Sequence, residues 1–271
     1  MTTPIKNSKI VFFGTPEVSA TVLQGLFDAG YNITVVITNP DQPVGRKQII
    51  TPPPVKVLAE KLDLPVFQPE SLKDFKLGEA DAAIVVAYGK IIPQIIIDSF
   101  PKGMLNIHYS LLPKYRGASP VEHAILSGDD KTGVTIQKLV FKLDAGPLIA
   151  IEEFPIDGEI TTPVLKTKLT EIGIKLLIET LPKYLDGIIT PVEQDESLAT
   201  HCKKISKADG EIKLDDPEQE KWLKYRAYFG WPGIFYFGED GKRVKITLAT
   251  FENGKFIIKK IIPEGKNEIS V

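Results

Sequence analysis

Asn106, His108 and Asp144 are residues of the types that move protons and steady charge on a carbonyl. Asn106 and His108 lie two apart in Met104–His108, M-L-N-I-H. That run predicts a short strand after the Pro101-Lys102-Gly103 turn, and a strand's period of two puts the amide and the imidazole on one face. Asp144 opens the turn L-D-A-G-P after a strand predicted over Gly133–Phe141. An isolated Asn-x-His is commonly a solvated strand end; a carboxylate at a neighbouring strand end points instead to general acid–base catalysis, with the amide steadying an oxyanion. Such a set suits direct attack of an amine on a carbonyl. Competing chemistries lack their residues. G-x-S-x-G is missing. Cys202 is read as lying in a linker far from this edge, which argues against a Cys–His pair. The three histidines have no metal-ligand spacing, so no metal is expected.

These side chains need a frame. Ile10–Phe13 is an apolar run ending in Gly14, a helix follows Thr15-Pro16 to about Asp28, and Ile33–Thr38 is the next strand. Asp81–Ala87 repeats the buried-strand pattern and ends in Tyr88-Gly89. Strands alternating with helices predict a Rossmann-like, doubly wound, mostly parallel α/β sheet, whose ligands bind beyond the strands' carboxyl ends. Gly14, Tyr88-Gly89 and His108 should therefore share one edge. The first turn reads G-T-P-E-V-S and lacks G-x-G-x-x-G, which argues against a dinucleotide. Ser119 with Glu122, and Asp216 with Gln219, read as capping boxes. Leu148–Phe154 is a strand antiparallel to its predecessor, and Thr162-Pro163 opens a long helix to about Leu185.

The 271 residues allow one or two domains, and 43% hydrophobic with 25% charged residues is ordinary globular composition. The net charge of −2 excludes an overall basic nucleic-acid binder but not a local basic patch. One cysteine suits a reducing compartment. No signal-peptide pattern opens the chain and no apolar stretch reaches the ~18 residues of a membrane span, so a cytoplasmic protein without membrane contact is expected. The proline-rich stretch Thr38–Pro54 reads as a long loop with Arg46 and Lys47 at its middle, either functional or a solvated basic turn. Beyond Gly187 the periodicity weakens. Strands at about Ile234–Phe237, Val244–Thr250 and Phe256–Ile261 are joined by Asp240-Gly241 and Asn253-Gly254, both read as type I′ turns. The last thirty residues carry seven Lys or Arg against three Glu, a lysine-coated sheet edge or a basic surface.

The segments N-I-H-x-S-L-L-P-x-Y-R-G-A-S-P and T-G-V-T-I-x-x-L-x-x-x-L-D-A-G resemble the formyltransferases that use 10-formyltetrahydrofolate. F-F-G-T-P-E, T-N-P-D-Q-P-V-G-R, V-F-Q-P-E-S-L and V-V-A-Y-G-K-I-I-P resemble the branch of that family whose substrate is initiator methionyl-tRNA. The resemblance covers about Ile10 to Ser206 well and continues more weakly beyond. It implies a catalytic domain over 1–187, a linker over 188–206 and, over 207–271, a shortened C-terminal β domain, a reduced form of the family's five-stranded OB-like barrel. It implies Asn106, His108 and Asp144 as the catalytic trio. Ser110, Leu111, Leu112 and Pro113 become the folate-binding loop, with Tyr88, Gly89, Ile91 and Ile92 as the pocket wall. The Arg46–Lys47 loop, and on the basic tail Lys259 and Lys260, become tRNA contacts. A monomer with 10-formyltetrahydrofolate as co-substrate is expected. The competing reading is a folate-dependent enzyme formylating a small amine, such as an amino sugar nucleotide.

Overall fold

The computed structural model describes residues 8–45, 47–73 and 78–271. Chain order starts with β1 (Ile10–Gly14), α1 (Glu17–Asp28) and β2 (Ile33–Ile37), then β3 (Gln42–Val44), β4 (Ile49–Thr51), α2 (Pro54–Lys61) and β5 (Val66–Phe67). Next come β6 (Ala82–Val86), α3 (Gln94–Ile97), β7 (Met104–His108), β8 (Arg116–Gly117), α4 (Pro120–Leu126), β9 (Lys131–Lys138), β10 (Leu148–Pro155) and α5 (Thr162–Leu185). The last part holds β11 (His201–Cys202), α6 (Glu218–Ala227), β12 (Ile234–Phe237), β13 (Arg243–Glu252), β14 (Lys255–Pro263) and β15 (Ile269–Ser270).

Seven strands form the main sheet in the order β10-β9-β7-β6-β1-β2-β5. Five are parallel, and β9 enters antiparallel to both β7 and β10. Strand alternation sorts the side chains. Ile10, Phe12, Leu105, Ile107, Val134 and Ile136 belong to one apolar cluster with α1, α2 and α5. In α5 Leu165, Leu169, Gly173, Leu177, Leu181 and Leu185 recur every fourth residue as one buried stripe. Each fully buried leucine contributes about 2 kcal/mol of transfer energy. The opposite face carries Val11, Phe13, Ala83, Val85 and Met104 and is covered more thinly, by the short α3 and by Leu72, Tyr88 and Phe100. Asn106 and His108 follow Met104 on that face by the same alternation.

The 188–206 stretch runs as a strap along this domain. Val192 pairs with Leu148, Thr200 bonds to Pro113, Tyr115 and Arg116, and β11 pairs with β8. The C-terminal part is a four-stranded antiparallel sheet in the order β12-β13-β14-β15, one strand more than expected, because the two-residue β15 is too short for a periodic signal. It packs through α6 onto α4 and the start of α5. Trp222 donates to the Gly158 carbonyl, Thr162 to that of Ala227, and Trp222, Tyr225, Phe251 and Phe256 form an aromatic cluster.

Several local expectations are corrected. Neither capping box forms. The Ser119 hydroxyl accepts from Ile205 N–H and Glu122 pairs with Lys166, while Asp216 accepts from Lys213 N–H. In each case a tertiary or loop partner takes the side chain that would have capped. The Thr38–Pro54 stretch contains the exposed ribbon β3–β4. Asn253-Gly254 has both residues at positive φ, as a type I′ turn requires, whereas at Asp240-Gly241 only Gly241 does and the loop closes between Gly238 N–H and the Lys242 carbonyl. β9 ends at Lys138, three residues early, because the chain there leaves the sheet.

Candidate active site

The row Met104, Asn106, His108 on β7 lies beside Gln137 and Thr135 on β9, since Asn106 pairs with Gln137 and His108 with Thr135. Because β9 is antiparallel, its carboxyl end points away from the edge where the parallel strands end. Residues 139–147 then double back, and the Lys138 N–H bonds to the Pro147 carbonyl at 2.8 Å to close the loop's neck. A Cβ on Gly146 would lie 1.7 Å from the Lys138 carbonyl oxygen, so only glycine lets the neck close this tightly. The loop brings Asp144 over the sheet face, not to a strand end. Its Oδ1 stands 3.6 Å from His108 Nδ1. Oδ1 also accepts from Gln137 Nε2 at 2.9 Å, and Oδ2 from the Gly117 N–H at 2.8 Å.

The other ring nitrogen of His108, Nε2, is 2.9 Å from the Tyr115 carbonyl oxygen. A carbonyl can only accept, so Nε2 carries the hydrogen and Nδ1 is the nitrogen that faces Asp144. Asn106 is nine-tenths buried and stands on the same β7 row as His108. Ala87, Tyr115 and Asp144 all adopt positive φ, at 43°, 59° and 49°. Such backbone costs about 1 kcal/mol or more per non-glycine residue, and here it surrounds one site.

Tyr88 is buried edge-on against Phe13, and its carbonyl accepts from Thr15 and Asn39 at the ends of β1 and β2, so Gly14, Tyr88 and His108 do share one edge. Burial pushes the Tyr88 phenol up to about 12. Ile92 is core, whereas Ile91 is 82% exposed. Ser110 donates to the Lys114 carbonyl, and Leu112 N–H bonds to the Thr135 hydroxyl, which itself donates to Ser110 O. The Ser110 hydroxyl and the Leu112 backbone N–H are thus spent on holding the loop. The Leu112–Pro113 peptide is cis. Near Met104, a cavity of about 320 Å³ is lined by Ile97, Phe100, Leu139 and Val140 with Gln94, Asp98, Gly103 and Lys138.

Arg46 lies outside the described residues. Lys47 is exposed beside the β3–β4 ribbon. Lys259 and Lys260 sit on β14, paired with Glu252 and Glu268, and make no contact with the β7 row among the described residues. Cys202 is not remote: the strap brings its Sγ to 3.4 Å from the same Tyr115 carbonyl that His108 uses. It is buried, and burial raises its thiol, the opposite of what a nucleophile needs. Sequence reasoning missed Gln137, Thr135, Arg116 and Gln194. The alternation Val134-Thr135-Ile136-Gln137 carries a signal for the first two, as a polar row on the Asn106 face. Thr38 Oγ1, Asn39 Oδ1 and Tyr88 OH are buried without a partner among the described residues. Polar atoms sealed in this way call for a ligand or water.

A family model described as Formyl transferase matches residues 8–181, which take in the whole seven-stranded sheet and most of α5. The methionyl-tRNA formyltransferase of Listeria innocua is 42% identical over 92% of this chain and 81% of its own length. That of Sulfurovum sp. is 45% identical over 84% of this chain and 75% of its own. The chain belongs to the formyl transferase family, in its methionyl-tRNA formyltransferase branch. Among solved structures, the sugar 3N-formyl transferase WlaRD, crystallised with dTDP and 5-N-formyl-THF, superimposes with a TM-score of 0.70 at 19% identity, covering 96% of this chain and 99% of its own. HypX from Aquifex aeolicus in complex with tetrahydrofolic acid gives 0.67 at 18% identity, over 97% of this chain and 46% of its own. At these identities the likeness is one of fold.

Proposed function

We propose that the chain transfers the formyl group of 10-formyltetrahydrofolate to the α-amine of initiator methionyl-tRNA, giving N-formylmethionyl-tRNA. The observation that carries the chemistry is the His108–Asp144 pair at 3.6 Å beside the nine-tenths buried Asn106 amide. Relatives of the same branch at 42% and 45% identity support the acceptor. The co-substrate supplies an activated formyl carbon. As the amine adds, the formyl oxygen gains negative charge, and the Asn106 amide donates to it. With Nε2–H committed to Tyr115, the mobile proton of His108 is the one on Nδ1, between the ring and Asp144. The amine's proton leaves towards this pair, and the folate nitrogen that departs takes one up.

In this reading Tyr88, Gly89, Ile91, Ile92 and Ser110–Pro113 frame the folate, and the cavity beside Leu139 and Val140 takes its ring system. Arg46, Lys47, Lys259 and Lys260 contact the tRNA. We read the protein as a cytoplasmic monomer. Its single cysteine, free and buried, suits a reducing compartment, and no helix among the described residues is long and apolar enough to cross a membrane. Sugar N-formyltransferases of the same fold keep a small-amine acceptor as the second reading. Formylation assayed with methionyl-tRNA, free methionine and an amino sugar nucleotide separates the two. Transfer confined to the sugar amine would overturn the proposal.

A further inference from the structure

The Asp144 carboxylate has its own partners, but what sets its backbone comes from the strap. Gln194 is nine-tenths buried, and its side-chain amide is fully used. Nε2 donates to the backbone carbonyls of Asp144, at 2.9 Å, and Gly146, at 2.7 Å, with a longer contact of 3.4 Å to Gln137 Oε1. Oε1 accepts from Arg116 Nε at 3.1 Å and Nη2 at 2.8 Å. Arg116 is itself 1% exposed and grips Glu196 with two nitrogens, at 2.9 and 3.1 Å. Lys142, in the Asp144 loop, reaches the same Glu196 carboxylate at 2.8 Å. These two cations hold the Glu196 carboxyl down at about 2, so the clasp stays charged at any physiological pH.

Arg116 also sits between the two residues whose backbones touch the candidate pair. Tyr115 offers its carbonyl to His108, and Gly117 its N–H to Asp144. One short segment therefore holds both members of the pair, and Gln194 joins that segment to the loop bearing Asp144. We propose that Gln194 is a positioning residue: it acts through the Asp144 and Gly146 carbonyls to keep Asp144 in its left-handed conformation, and so sets the His108–Asp144 separation. This rests on the formyl-transfer reading above. It also makes the strap a working part of the site and not a tether between domains.

The geometry separates positioning from mere support. Glutamate at 194 has the same shape and binds Arg116 at least as well, because a carboxylate suits a guanidinium. It cannot donate to two carbonyls. Methionine keeps the length and removes every polar contact without adding charge. If Gln194 only anchors the strap through Arg116, Gln194→Glu keeps full activity. If it positions Asp144, Gln194→Glu and Gln194→Met each lower kcat by roughly 30-fold or more, while KM for both substrates stays within about threefold. Gln194→Glu should stay folded with a lowered thermal midpoint, because its carboxylate faces the Asp144 and Gly146 carbonyls where the amide donated.

A second readout is independent of the substrate. The chain has three histidines, so the ring resonances of His108, His123 and His201 can be followed singly by NMR. The His108 signal should move in both variants by more than the other two. Wild-type protein that fails to formylate methionyl-tRNA would sink the proposed reaction, and the NMR comparison would still decide the clamp. Active wild-type together with a folded Gln194→Glu of near-normal kcat and an unmoved His108 would overturn the inference. Should Gln194→Glu fail to fold, Gln194→Met is read by the same criteria.

Discussion

Replacing Asp144 with Asn removes one negative charge and almost no volume. Asn tolerates the left-handed region, so the φ of 49° at this position can persist. The Gly117 N–H can still donate to the Asn oxygen. The Asn NH2 then faces Gln137, whose amide can turn to present its oxygen by giving up the 3.4 Å contact from Gln194 Nε2. The fold therefore loses the difference between charge-assisted and neutral hydrogen bonds, about 1 kcal/mol for each of two bonds. The site loses more. At the 3.6 Å separation of His108 Nδ1 and Asp144 Oδ1, a unit charge acts on an imidazolium with about 4 to 5 kcal/mol at an effective dielectric constant of about 20. Realised even in part when the proton reaches the ring, this predicts that Asp144→Asn lowers kcat by about 10² to 10³-fold, with both Michaelis constants near wild type. The assay is steady-state formylation of methionyl-tRNA across pH, with thermal unfolding as the control. A folded variant that keeps kcat within about fivefold, with an unchanged pH profile, would refute the coupling of the two side chains.

Asn106→Ala should cost about 10²-fold in turnover, as for one lost oxyanion donor, and intact turnover in a folded variant would make the amide structural. Gly117→Ala places a Cβ 2.3 Å from the Cys202 carbonyl oxygen at a φ of 122°. It should part β8 from β11 and depress both the thermal midpoint and kcat, and an unchanged midpoint would contradict that packing. Reversing Lys259 and Lys260 to Glu should weaken tRNA binding and flatten its salt dependence, whereas unchanged binding at two salt concentrations would mark them as solubilising charges. The phenols of Tyr88 and Tyr228, both buried, are pushed up to about 12. A raised folded value means that the unfolded chain sheds the proton first. Stability should fall as pH climbs from about 10 towards 12, by about 1.4 kcal/mol per pH unit for each phenol. A flat alkaline limb in denaturant titrations, or one unmoved by Tyr88→Phe, would oppose this.

The parallel frame was legible because its signals are local. Ile10–Gly14 and Ala82–Val86 are uniformly buried five-residue runs, and α5 repeats its apolar stripe every fourth residue over six turns. The capping boxes failed for the reason that makes them weak evidence: Ser119 and Glu122 have the right spacing, but Ile205 and Lys166 compete for them from elsewhere in the chain. Cys202 was misplaced because a polar, aperiodic stretch looks the same whether it hangs free or lies along a sheet edge. Only the β8–β11 pairing distinguishes the two.

The same division runs through the site. That Asn106 and His108 face one way was settled by the sequence, since two residues of extended backbone restore the side-chain direction whatever surrounds them. The third member was decided in three dimensions. Asp144 reaches His108 because β9 enters antiparallel and residues 139–147 fold back across the sheet. Its place is then held by Gly117, 27 residues away, and by Gln194, 50 residues away, which Arg116 grips from 78 residues off. No period in the sequence encodes such distances. They exist only once the sheet has closed and the strap has crossed it, because each hydrogen bond needs both partners held in place by packing.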